Sequence, residues 1–155
     1  MIEAADDTRI RDFGVLLSAA ARLERLLGRA IEREYGITHV MFEVLLRLAA
    51  AAEHRLPIRD IATNLTLTSG GMTRLVDRMV VAGLVKRVPS TGDRRMALVM
   101  MTDQGAAVLR GAAGRHADNL DRDFVGALTA EEYRDMMISL RRLNEVARVR
   151  LGRLG

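Results

Sequence analysis

Between Thr68 and Arg95 the chain places small hydroxyl and guanidinium side chains at spacings suited to reading a polyanion. Thr68, Ser69, Gly70, Gly71, Thr73 and Arg74 cluster where one helical pattern begins. Arg78 lies one turn on, and Asp93-Arg94-Arg95 follows a short apolar run. Ser and Thr hydroxyls bond base edges or phosphates, and Arg can take guanine O6 and N7 together. A helix that starts with such side chains can enter a major groove. A basic turn downstream can reach the backbone or the adjacent minor groove. Together these residues point to duplex DNA. Several also carry a plainer reading. Thr68 serves equally as an N-cap, and Arg78 fits an ion pair or a phosphate better than a base. Asp77 would repel phosphate, so it reads as the residue that orders Arg74 or Arg78 or supports the hairpin that follows. Lys86 and Arg87 read as backbone contacts or as ion-pair partners.

Charge points the same way. From Glu53 to Arg95 eight cationic residues face four acidic ones, which accounts for the whole net charge of +4. An excess confined to one segment fits a polyanionic partner, although a solvated arginine surface would look similar. There is no cysteine, so disulfides, thiolate metal sites and thiol redox sensing are excluded. His39, His54 and His116 lack metal-ligand spacing, and no metal or cofactor is expected. No run approaches the ~18 apolar residues of a membrane span, and no secretory h-region opens the chain. The expectation is a cytoplasmic protein that contacts no membrane. The motifs of zinc proteases, P-loop enzymes, serine hydrolases and dinucleotide-binding enzymes are missing, so no enzymatic activity is expected.

The elements that must hold these residues read as mainly helical. Aromatics make up 3% of the chain and tryptophan is absent, so a core of Leu, Val, Ala, Ile and Met is expected. Residues 8–35 show helical apolar spacing through Phe13, Leu16, Leu17, Ala20, Leu23, Leu27 and Ile31, and Gly36 stops them. Thr38 caps a second helix. Glu53-His54-Arg55 reads as a polar link, and Pro57 opens a short helix over 58–65. Thr68 caps the next helix, with Met72, Leu75, Val76 and Met79 inward, and Gly83 ends it. Residues 84–88 and 97–101 read as a β-hairpin, with Arg94 and Arg95 at or near its tip. Thr102 caps a helix running to about 128, weakened by Gly105, Gly111 and Gly114 at up to about 1 kcal/mol each. Thr129-Ala130-Glu131-Glu132 is a capping box before the last helix.

Two short helices, the second amphipathic, and a hairpin make a winged helix-turn-helix over 36–102. The flanking segments 1–35 and 103–155 are long amphipathic helices that so small a domain cannot cover. They are expected to pack on each other and on a second copy. A two-fold dimer would present two reading helices about 34–36 Å apart, to match a pseudo-palindromic duplex operator.

In this order the motifs resemble the MarR family of bacterial transcriptional regulators. The resemblance rests on Thr73-Arg74-Leu75-Val76-Asp77-Arg78-Met79, Gly83-Leu84-Val85-Lys86-Arg87, Gly92-Asp93-Arg94-Arg95 and Thr102-Asp103-Gln104-Gly105. It spans nearly the whole chain. Met79 and Met101 stand where similar proteins usually carry leucine, a volume-conserving change. Gly70-Gly71 in the first turn allows close backbone approach or simply a flexible start. The resemblance implies that Arg95 reaches a minor groove, that Asp93 orients it and that Arg94 contacts phosphate. It also implies a repressor released by a small aromatic or phenolic effector. Position alone nominates Phe13, Leu16, Arg22, His39, Met41, Phe42 and His116 for that effector site. The competing reading is a helical dimer that binds protein without sequence-specific DNA recognition. Such a module would need neither the basic hairpin nor the confined charge.

Overall fold

The computed structural model describes residues 7–62, 69–89 and 97–152. Helix α1 (Thr8–Tyr35) starts where the Asp7 side chain accepts the Arg9 N–H at 2.9 Å. It ends at Gly36, whose φ of 67° only glycine adopts without strain. Helix α2 (His39–Ala50) starts at Thr38, whose hydroxyl accepts the Met41 N–H. Its Met41, Phe42, Val44, Leu45 and Leu48 are buried. α3 (Ile58–Ala62) and α4 (Ser69–Val81) follow, then α5 (Asp103–Asp123) and α6 (Ala130–Leu151). The core joins Ile31 of α1 with the inner faces of α2 and α4, Ile61 of α3, Val85 and Val99 of the sheet, and Leu109 and Ala112 of α5.

The sheet has three antiparallel strands, β1 (Arg55–Pro57), β2 (Val85–Pro89) and β3 (Ala97–Met101), in the order β1-β3-β2. β2 and β3 form the base of the expected hairpin, with Val85 opposite Met101 and Arg87 opposite Val99. β1 corrects the sequence reading, in which Glu53-His54-Arg55 was a polar link. A 3-10 turn over Ala52–His54, with Glu53 and His54 both at positive φ, swings the chain into a strand that pairs Arg55 with Met100. Pro57 closes that strand, and α3 starts at Ile58 directly after it, where the sequence places the start of the helix. The chain's two prolines, Pro57 and Pro89, therefore sit on the two outer strands. Residues 63–65, expected to finish α3, lie outside the described residues, as does Thr68.

The helix after the sheet is also shorter than expected. α5 stops at Asp123, and Val125–Ala127 forms a 3-10 turn before α6. A Cβ at Gly126 would meet the Asp121 carbonyl oxygen, so the chain can fold back there only through glycine. Thr129 then caps α6 with the expected box: the Glu132 carboxylate accepts the Thr129 N–H at 2.8 Å, and the Thr129 hydroxyl accepts the Glu132 N–H.

The chain divides into two compact units, Met1–His116 and Ala117–Gly155. In the first, only Leu27 and Ile31 of α1 are buried, while Ile10, Phe13, Leu16 and Leu17 face solvent. In the second, Phe124 and Tyr133 pack edge to face at 5.7 Å. No described residue of α6 is fully buried, and Ile138, Leu143, Val146, Val149 and Leu151 are exposed.

Candidate nucleic-acid interface

α4 is split cleanly by its periodicity. Met72, Leu75, Val76 and Met79 are buried at i, i+3, i+4 and i+7. The opposite face presents Gly70, Thr73, Arg74, Asp77 and Arg78 to solvent. Ser69 opens the helix and Gly71 follows in its first turn. Gly70, Thr73 and Arg74 thus share one open face in the N-terminal half of this helix. Thr68, Asp93, Arg94 and Arg95 lie outside the described residues.

The C-terminal end of α4 is held rigidly. Gly83, at φ 71°, takes the left-handed turn, and the Leu84 N–H reaches back to the Met79 carbonyl at 3.0 Å. The Thr102 hydroxyl donates to the Gly83 and Leu84 carbonyls at 2.6 and 3.0 Å and accepts the Gly105 N–H at 3.0 Å. The Gln104 amide donates to the Ala82 carbonyl at 3.2 Å. The first turn of α5 is therefore pinned to the last turn of α4. Gly105 is required there, because a Cβ would collide with the Leu84 carbonyl.

Asp77 pairs with neither arginine of its own helix. Its carboxylate accepts from Arg87 of β2 at 2.7 Å. Of the alternatives open in the sequence, this one ties the helix to the hairpin. Lys86 is exposed beside it. Ten residues separate the partners, so no local spacing rule could have named the pair.

A second cluster gathers three of the nominated effector residues. The His116 ring lies 5.8 Å from His39 and 5.1 Å from Phe42 between centroids. The Nδ1 atoms of both histidines are buried without a protein hydrogen-bond partner. Burial, then the neighbouring His39, pushes the His116 pKa below its ordinary value. The His39 Nε2 lies 3.6 Å from the Glu43 carboxylate. Beside His39 a cleft of ≈ 500 Å³ opens, lined by Glu24, Arg25, Arg29 and Glu32 of α1 together with Thr38. Met41 is buried in the core. Phe13 and Arg22 do not join the cluster. Phe13 is exposed, and Arg22 lines a separate depression with Arg11, Gly14 and Ser18. Among the described residues no group of three or more metal-ligating side chains occurs, and no helix is long and apolar enough to cross a membrane.

Residues 35–96 match the model of the MarR family. The multiple antibiotic resistance protein MarR of Escherichia coli is 32% identical over 109 residues, covering 70% of this chain and 74% of that protein. Among solved structures, AbsC from Streptomyces coelicolor, a MarR family transcriptional regulator, superposes with a TM-score of 0.81 at 25% identity, over 92% of this chain and 95% of that one. A mutant E. coli MarR complexed with operator DNA superposes at 0.77 with 28% identity, over 87% of this chain and 95% of that one. With these relatives this chain belongs to the MarR family of transcriptional regulators.

Proposed function

We propose that the chain is a DNA-binding transcriptional repressor that grips a pseudo-palindromic operator as a homodimer in the cytoplasm. The observation that carries this reading is the open face of α4, where Gly70, Thr73, Arg74 and Arg78 stand together beside the hairpin base. The DNA complex of the E. coli relative supports it. In this reading Thr68, Ser69, Gly70, Gly71, Thr73 and Arg74 lie along the major groove, and Arg78 and Arg94 meet phosphates. Arg95, oriented by Asp93, enters the minor groove. The exposed apolar residues of α1 and α6 supply the surface between copies. In this reading a small aromatic effector occupies the cleft beside His39, and its binding shifts the dimer away from the DNA-competent state.

Selection of bound fragments from the host genome tests this. The expected product is a set of short duplexes with two half-sites about one helical turn apart. Affinity for them should fall steeply with salt. Arg74→Ala should weaken operator binding by about 1–3 kcal/mol and relax the preference at one base pair. Recovery of no duplex, or binding indifferent to salt, would remove the assignment and leave a helical protein-interaction module.

A further inference from the structure

An acid on a DNA-reading face needs a reason, because it repels every phosphate alike. Asp77 shares the outward face of α4 with Thr73 and Arg74, at i+4 and i+3 from them. Two arginines lie near it in sequence, at i−3 and i+1, yet its partner comes from another element. The sheet register explains why. Arg87 lies opposite Val99 and two residues from Val85, so it shares the strand face whose valines are buried. Unlike those valines the Arg87 side chain is exposed, and its guanidinium meets the Asp77 carboxylate of α4 at 2.7 Å. The side chains are 36% and 59% exposed, so solvent screens the pair and it adds little to stability. Its larger effect is on the charge of the surface around it.

Resting on the DNA-reading face assigned above, the geometry points to Asp77 as a specificity residue that keeps the Arg87 guanidinium off the phosphate backbone. An unpaired Arg at this place would offer five donors to any phosphate, whatever the sequence. That contact raises affinity for all duplexes together and narrows the gap between operator and random DNA. Asp77 neutralises Arg87 within the protein, so binding depends more on the groove contacts that read bases.

The experiment is a salt titration of binding to the selected operator and to a random duplex of equal length. The unmutated chain is compared with Asp77→Asn, Arg87→Gln and the double variant, each checked for fold by circular dichroism. Asp77→Asn is expected to bind random duplex more tightly at low salt and to lower the operator-to-random ratio. It should also steepen the log–log salt slope by about 0.9, an extra fall of about 3.5-fold when salt rises fourfold. Arg87→Gln leaves the carboxylate bare and should weaken binding to both duplexes. The double variant should return to the slope of the unmutated chain. An Asp77→Asn slope equal to that of the unmutated chain would overturn the inference. So would a double variant as weak as Arg87→Gln, because the pair would then be only a brace. Failure of the unmutated chain to bind any duplex would instead remove the function beneath it.

Discussion

At the scale of single residues, the histidine cluster has a measurable consequence. His116 is held below its ordinary value of 6.5, first by burial and then by His39. The folded chain therefore resists protonation that the unfolded chain accepts. Stability linked to His116 is fully present above about pH 6.5 and is lost as the pH falls toward the residue's own lower value. The carboxylates of Asp123, Glu132 and Glu145 are themselves held low by Arg122, Thr129 and Arg148, so their contributions disappear in a more acidic window. Thermal midpoints measured from pH 7.5 down to 5 should fall, and His116→Asn should flatten that fall. An unchanged slope in the variant would show that His116 is not the group responsible. The chemistry of these residues was readable only in part. Position nominates His39, Phe42 and His116, which the structure brings together, along with Phe13 and Arg22, which it places apart from them on α1. The stripe of each helix does not say which side chains of other helices it will meet.

At the scale of elements, the joint between α4 and α5 makes the sharpest prediction. Alanine is a better helix former than glycine by about 1 kcal/mol, so propensity alone favours Gly105→Ala. Here the colliding atom is the Leu84 carbonyl oxygen, which also accepts from the Thr102 hydroxyl and N–H, so it cannot give way cheaply. Overpacking should win, with a net loss of about 1–3 kcal/mol. A lower denaturant midpoint at constant m-value would show it, and an unchanged or higher midpoint would refute it. Elements governed by local rules were legible in the residues. The span of α1, the caps at Thr38, Gly83 and Thr129 and the hairpin strands all follow from neighbours a few positions apart. β1 was not legible, because its three residues become a strand only by pairing with Met100, Val99 and Leu98 about forty positions later. The sequence marks Asp77 as a support for the hairpin and Arg87 as an ion-pair candidate, but it does not join the two, because they sit on different elements. It also draws α5 too long, because the apolar stripe runs on to Phe124 and gives no sign of the stop at Asp123.

At the scale of the whole molecule, two helical surfaces are left wet. Ile10, Phe13, Leu16 and Leu17 on α1 and Leu143, Val146 and Leu151 on α6 are exposed, an apolar load that soluble monomers rarely display together. If copies cover these surfaces, unfolding becomes coupled to dissociation and the thermal midpoint rises with protein concentration. Phe13→Asp should lower the dimer fraction seen by sedimentation and weaken that dependence. A midpoint indifferent to concentration over two decades would argue for a lone chain.

The positions of Pro57 and Pro89 decide which surface a neighbouring copy cannot use. A bare sheet margin is a template on which another chain can zip, one N–H and C=O at a time. Here both margins are short, and each carries a residue with no N–H to lend. Each described margin of the small sheet thus lacks one donor that lateral growth would use. Pairing of copies through this sheet is therefore disfavoured at each described margin.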